Sequence, residues 1–173
     1  VPNDERKARP IFEMARALGL HGISTESIGS ISTLEALAVE YDLRVGFHNH
    51  PKPTALWNPR TILEAVKDRH ANLGFCADIG HWASSGLDPL EVVRSIAPRI
   101  RSFHFKDRAS TSEPCHDQPL GTGVLDLPSI LDAAIAEGFA GTVSIEHEYN
   151  WHSSVPEIAQ GVGYLRAYAR LRA

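Results

Sequence analysis

Imidazoles, carboxylates and one lysine end a series of short apolar runs in this 173-residue chain, in a pattern suited to metal binding and proton transfer. Side chains alternate faces along a β-strand, so residues two apart share a face. One parity set holds Gly46, His48 and His50; Gly74, Cys76 and Asp78; Ser102, His104 and Lys106; Ser144, Glu146 and Glu148. The other holds Val45 and Phe47; Phe75 and Ala77; Phe103 and Phe105; Val143 and Ile145. The first set is small where each strand starts and ionisable where it ends. With the greasy set against helices, Asp78, His104 and Glu146 converge, with His48 or Glu26 available from neighbouring strands. Gathering such groups away from water without a counter-charge costs many kcal/mol, and a divalent cation removes that cost. Mixed oxygen and imidazole donors favour Mn, Fe, Co, Ni or Zn over calcium.

Further residues follow the same strand ends. Lys106 is expected at the pocket mouth, where it could neutralise a developing enediolate or hold an anionic substituent. His50 could hydrogen-bond substrate hydroxyls, and Trp57, Trp82 and Trp151 could offer flat apolar faces to a sugar ring, although ordinary packing serves each as well. Gly121-Thr-Gly123 could present N–H groups to an anion or form a plain turn, and Cys115-His116-Asp117 could add a ligand for a second metal.

The elements that must position these residues alternate. A period near 3.6 gives way repeatedly to a short apolar run, the pattern of helices alternating with strands of a parallel sheet. The spacing predicts strands at about 22–26, 44–50, 73–78, 100–106 and 142–148 within one α/β domain spanning residues 1–173. Helices are predicted over about 4–17, 58–66, 88–97, 128–136 and 154–171, and one more opened by a capping box at Ser32-Thr-Leu-Glu35. Asn58-Pro59 and Asp88-Pro89 supply a cap and a proline at the first helical position. Five βα units form either an open parallel sheet or part of a (β/α)₈ barrel, which typically needs about 250 residues. A five-strand arc would leave two sheet edges to be covered by further units, by a partner chain as in a homo-oligomer, or by a rearranged closure.

Composition narrows the partners. The chain is 43% hydrophobic and 22% charged, as in a globular domain, and a formal net charge of -4 gives no field that would gather nucleic acid or an anionic membrane surface. No apolar run is long enough to span a bilayer, and no secretory signal is read at the start. Cys76 and Cys115 form no C-x-x-C pair or disulfide framework, so a reducing, cytoplasmic location is expected.

Taken serially, Phe47-His-Asn-His50, Cys76-Ala-Asp-Ile-Gly-His81, Phe103-His-Phe-Lys-Asp107, Gly121-Thr-Gly123 and Ser144-Ile-Glu146 resemble the motifs of the xylose isomerase-like barrel superfamily, in particular its sugar phosphate isomerase/epimerase group. The resemblance runs over roughly residues 10–150 and implies a (β/α)₈ TIM barrel, of which this chain carries the five C-terminal βα units. It implies a divalent metal (Mn, Co, Zn, Fe or Mg) held at position 48 and by Asp78, His104 and Glu146, with His81 contacting substrate. It also implies a metal-dependent isomerase or epimerase that moves a proton beside a metal-polarised carbonyl of a sugar or sugar phosphate. One departure stands at position 48, where the family has Glu and this chain has His. The epimerase mechanism implied by the resemblance uses two metal-bound glutamates on opposite sides of one carbon. Here Glu146 is one of them, and Glu26 or Glu148 must stand in for the other unless His48 moves the proton itself.

The expected machinery is therefore Glu146, Glu26 and Lys106 as catalytic groups, and His50, His81, Trp82, Lys106 and Glu148 as substrate contacts. Two other classes compete. The superfamily's apurinic endonucleases are metal hydrolases, but the acidic balance and the 108–120 loop argue against a DNA substrate. A truncated or degenerate barrel acting as a non-catalytic binding or assembly module is motivated by the five-unit length and by His48. The letters of His48-Asn-His50 match an HNH nuclease only by accident, since those residues end a parallel strand.

Overall fold

The computed structural model describes residues 4–172, so residues 1–3 and 173 of the predicted domain lie outside the described residues. Strands β1 (Gly22–Thr25), β2 (Arg44–His48), β3 (Leu73–Asp78) and β4 (Ile100–Phe105) pair in parallel, each beside the next. Two short strands, β5 (Asp107–Arg108) and β6 (Asp117–Gln118), form an antiparallel hairpin, and β7 (Thr142–Ile145) returns to the main sheet beside β4. The five-stranded sheet, in the order β1-β2-β3-β4-β7, curls into a half-barrel. Helices α1 (Glu5–Ala17), α2 (Ile31–Glu40), α3 (Pro59–Val66), α4 (Ile79–Ser84), α5 (Pro89–Ile96), α6 (Leu127–Ala136) and α7 (Val155–Arg172) connect and cover it. None of the described helices is long and apolar enough to cross a membrane.

The strand parity decides which face meets the helices. Phe47, Phe75, Phe103 and Phe105 are fully buried against helical residues such as Phe12, Leu34, Ile62, Val93 and Ile130. Burying each ring is worth about 1.5–3 kcal/mol, enough to fix the register, because a one-residue slip would turn all of them to the concave side. That concave side carries the small residues. A Cβ on Gly46 would lie 2.8 Å from the Cys76 Cβ, so the floor between β2 and β3 requires glycine there. The pairing sets His48 opposite Cys76, Asp78 opposite His104, and His104 opposite Ser144, which brings the ionisable ends of successive strands to one rim.

Three local features depart from the sequence reading. Strands β2 and β7 stop at His48 and Ile145, so His50, Glu146 and Glu148 lie in the loops beyond. Pro51 ends the run after β2, while β7 can pair only as far as β4 reaches, with one last bond from the Glu146 N–H to the Phe105 carbonyl at 2.9 Å. The capping box at Ser32 does not form. Helix α2 begins at Ile31, and Glu35 accepts instead from the His70 backbone N–H at 2.6 Å and from Arg69. Helix α4 and the hairpin replace segments read as plain connections.

Candidate metal centre

Asp78 sits where β3 turns into α4. Its Oδ1 accepts the His81 backbone N–H at 2.9 Å, the N-cap bond that starts the helix. The wholly buried amide of Asn49 clips the ends of β2 and β3 together, donating to the Asp78 carbonyl at 2.9 Å and accepting its N–H at 2.9 Å. These bonds leave Asp78 Oδ2 aimed at the concave rim, buried and without a hydrogen-bond partner. Around it stand His81 Nε2 at 3.5 Å, Lys106 Nζ at 3.6 Å and His48 Nε2 at 3.7 Å.

His48 Nε2 and His104 Nδ1 are buried and unpartnered in the same way. One ligand atom from each of His48, Asp78 and His104 lies within 4.8 Å of the others, with the two imidazole centroids 4.4 Å apart. A buried orphan costs about 1–3 kcal/mol, and three that converge share one remedy. Two imidazoles and a carboxylate at that separation suit a transition metal. Glu146 Oε2 stands 3.3 Å from His104 Nδ1, within reach of a fourth position. A second group, Glu26, His48 and His50, also brings its donor atoms within 4.8 Å, with Glu26 Oε1 at 2.9 Å from His50 Nε2.

Electrostatics agree with the donor set. Burial works against the charge on Asp78, but His48, Lys106 and His81 around it hold its carboxyl below the usual range. His81 is pushed down to about 4 by burial, with Asp78 opposing and Lys106 adding to the effect. Burial and the neighbouring His48 lower His104 likewise, leaving its ring in the neutral form a metal requires. Burial raises the Cys76 thiol to about 11, so the floor of the half-barrel stays uncharged.

Beyond the donors, a charged wall is built around Lys106. Its ammonium contacts Glu148, stands 3.6 Å from Asp78 and 3.9 Å from Asp117, and is kept protonated by these carboxylates in spite of its burial. The same lysine holds Glu148 ionised against desolvation. Asp117 fixes the geometry, accepting the Glu148 backbone N–H at 2.6 Å and the Arg108 guanidinium at 3.2 Å.

Several sequence expectations need correction. Lys106 is wholly buried, not at the pocket mouth, because Asp78, Asp117 and Glu148 surround its charge. Trp82 offers no ring to a substrate. The turn at Asp78 starts α4 and carries Trp82 into the apolar core, fully buried and edge-on to Phe75. The N–H groups of Gly121 and Gly123 hold no external anion, since both donate at 2.9 Å to Asp107 Oδ2. Cys115, His116 and Asp117 are engaged elsewhere: Cys115 Sγ with Ser110, His116 stacked on Tyr149, and Asp117 with Arg108. Trp57 lies under the Lys52 ammonium and Trp151 is exposed. The sequence reading missed Asn49 and offered Asp117 only within a second metal site, not as the partner of Glu148. The only trace of the first was a polar residue at a greasy-face position, and the second contacts Glu148 across 31 residues of chain.

Comparison with known proteins places the chain in a wider group. The model of the xylose isomerase-like TIM barrel family matches residues 25–168. An inosose dehydratase of Lactiplantibacillus plantarum is 27% identical over 140 residues, 72% of this chain and 47% of that protein. A xylose isomerase-like TIM barrel protein from Mycobacterium smegmatis in complex with magnesium aligns with a TM-score of 0.79 at 16% identity, covering 95% of this chain and 66% of that one. The IOLI protein with a bound zinc atom aligns with a TM-score of 0.75 at 18% identity, covering 94% and 68%. The chain spans about half the length of the curated relatives it matches.

Proposed function

From the premise that the chain belongs to the xylose isomerase-like TIM barrel family, we propose that it carries the metal-holding part of an enzyme that removes a proton beside the carbonyl of a keto-sugar or keto-cyclitol. The observation that carries this reading is the convergence of three buried, unpartnered donor atoms, His48 Nε2, Asp78 Oδ2 and His104 Nδ1, at one rim. A divalent cation bound there would polarise the carbonyl and acidify the adjacent C–H. The rest falls to the chain's own groups. Glu146, beside His104, completes the ligand set and takes the proton. His81 and Glu148, 3.6 Å apart, border the site and meet substrate hydroxyls, and Lys106 fixes Glu148 while its buried charge favours negative charge developing nearby. His50 and Glu26 face the same space from the β1 side.

Isomerisation, epimerisation and dehydration share this first step, and dehydration is what the name of the Lactiplantibacillus relative denotes. The open surface is suited to a polyol, with Ser24 and Ser27 near the carboxylates and imidazoles.

Elemental analysis of the purified full chain, followed by NMR of a panel of keto-sugars and keto-cyclitols in deuterated solvent, tests the reading. The expected result is near-stoichiometric Mn, Co, Zn, Fe or Mg, together with wash-in of deuterium at the carbon next to the carbonyl. A folded protein that takes up no divalent ion and exchanges no ketone is the binding module of the competing reading, and the proposal falls.

A further inference from the structure

Glu146 and Glu148 stand in the loop beyond β7, and backbone bonds fix them from the sheet side, the Glu146 N–H to the Phe105 carbonyl and the Glu148 N–H to Asp117. Helix α7 holds the other side. Gly161 faces β7, where an added Cβ would lie 3.2 Å from the Ile145 Cδ1, so glycine there lets the helix come close to the strand. Tyr164, Leu165 and Tyr168, three, four and seven positions further on, pack against the core along the same face. Glu157, one turn before Gly161 on that face, is therefore brought down over the loop.

There it meets both ends of the segment that carries Glu148 and follows Glu146. His147 lies between the two glutamates, with its side chain only 4% exposed and its Nε2 3.3 Å from Glu157 Oε2. Asn150, in the left-handed region at φ 52°, turns the chain back towards α7. Its Nδ2 donates to Glu157 Oε2 at 3.3 Å, to Oε1 at 3.4 Å and to the Ser153 carbonyl at 3.2 Å. One carboxylate thus gathers residues 147 and 150. Among the described residues the Glu157 side chain has these two partners alone, and it meets none of the metal-competent donors.

We propose, resting on the proton-abstraction reading above, that Glu157 is a positioning residue, which pins residues 147–150 to α7 and so sets where the Glu146 and Glu148 carboxylates stand. No proton passes along its contacts. A group that ligates a metal or takes a proton has to be held to within about 0.5 Å of its working place, and a loop beyond the end of a strand has no ladder to hold it. A misplacement of about 1 Å can cost about a hundredfold in rate, so a carboxylate outside the site governs the chemistry through the chain it restrains.

The test compares Glu157→Ala, Glu157→Gln and Asp132→Ala in the full chain. It reads manganese affinity by competition with a chelator, folding by urea denaturation, and kcat for deuterium wash-in on a keto-cyclitol at saturating manganese. Glu157→Ala is expected to bind manganese about tenfold more weakly, the lower end of what losing a support outside the ligand set costs, and to lose at least about tenfold in kcat. Glu157→Gln, whose amide can still meet both His147 and Asn150, is expected to restore both. Asp132 accepts the Tyr168 hydroxyl and the Arg172 guanidinium and ties the far end of α7 to α6, so Asp132→Ala is expected to lower stability and leave affinity and kcat unchanged. Wild-type affinity and kcat in Glu157→Ala overturn the assignment while leaving the proton-abstraction reading in place. An equal loss in Asp132→Ala, or no restoration in Glu157→Gln, overturns it likewise. If Glu157→Ala does not fold, Asn150→Gly keeps the left-handed turn and removes only the amide; a smaller loss in the same two readouts supports the assignment and wild-type values overturn it. A wild-type chain that neither takes up manganese nor exchanges any ketone overturns both.

Discussion

Asp78 and Asp107 are buried aspartates just past the apolar runs of neighbouring strands, and their surroundings differ in kind. Asp107 is saturated. Its Oδ1 accepts the N–H groups of Arg108 at 2.9 Å and Leu125 at 3.2 Å, and its Oδ2 those of Gly121 and Gly123 at 2.9 Å each. A Cβ at Gly123 would fall 2.2 Å from Asp107 Oδ1, so the loop is shaped to the carboxylate. Asp78 spends one oxygen on a helix cap and keeps the other buried and unpartnered among His48, His81 and Lys106. A carboxylate with every lone pair answered by backbone holds a loop in place, whereas one with an unanswered oxygen among other unanswered donors is suited to a cation. The difference lies in the partners, since the residue type and the burial are the same.

Substitution should separate the two most sharply at Asp78. Asp78→Ala removes a ligand and the counter-charge of Lys106, and the affinity for Mn or Co is expected to fall by more than about a hundredfold, the upper end of what losing a mere supporting residue costs. Competition with a chelator reads this directly, and retention of the ion at wild-type affinity would erase the distinction drawn here. Asp107→Ala should do the reverse. One buried and three part-buried N–H groups lose their acceptor at about 1–3 kcal/mol for the most buried, so urea denaturation is expected to show a loss of about 3–5 kcal/mol. Metal content per folded molecule should stay that of the wild type.

The contrast also marks what could be read from the chain beforehand. Alternation along each strand sufficed to send Phe47, Phe75, Phe103 and Phe105 outward to the helices and His48, Asp78 and His104 inward, because period two is a local property. The pairing that brings Asp78 opposite His104 then follows from parallel register. Long-range satisfaction was hidden. Gly121-Thr-Gly123 reads as a place for an anion, and it is one, but the anion is Asp107 from the same chain, 14 to 18 residues upstream of the N–H groups it accepts. Lys106 shares strand parity with His104, so alternation alone put it at the rim. Its burial depends on Asp117, carried in by a hairpin whose two-residue strands leave no periodic signature. Trp82 was misassigned for a related reason: a residue following a strand end is exposed only if the chain stays open there, and the Asp78 cap folds it at once into α4.

The smallest predicted effect is on pH, and it tests whether His81 and His104 are buried neutral. With His81 held down to about 4 and an ordinary value of about 6.5 in the unfolded chain, the unfolded state binds more protons throughout the interval between them. Stability must then rise with pH across that interval and be lost as pH falls from 6.5 towards 4, by roughly 1 kcal/mol per pH unit. His104, lowered by burial and by His48, acts with the same sign. Asp78 and Glu148, both depressed, hold their stabilisation above the ordinary carboxylate range and lose it only below, so the interval from 6.5 to about 4.5 belongs to the imidazoles. Urea midpoints taken through that interval in the presence of chelator should fall for the wild type and fall less steeply for His81→Gln, which keeps the bulk and cannot titrate. Equal slopes would mean that His81 already takes up its proton in the folded chain, and the neutral cluster that Asp78 presents to a cation would lose one of its members.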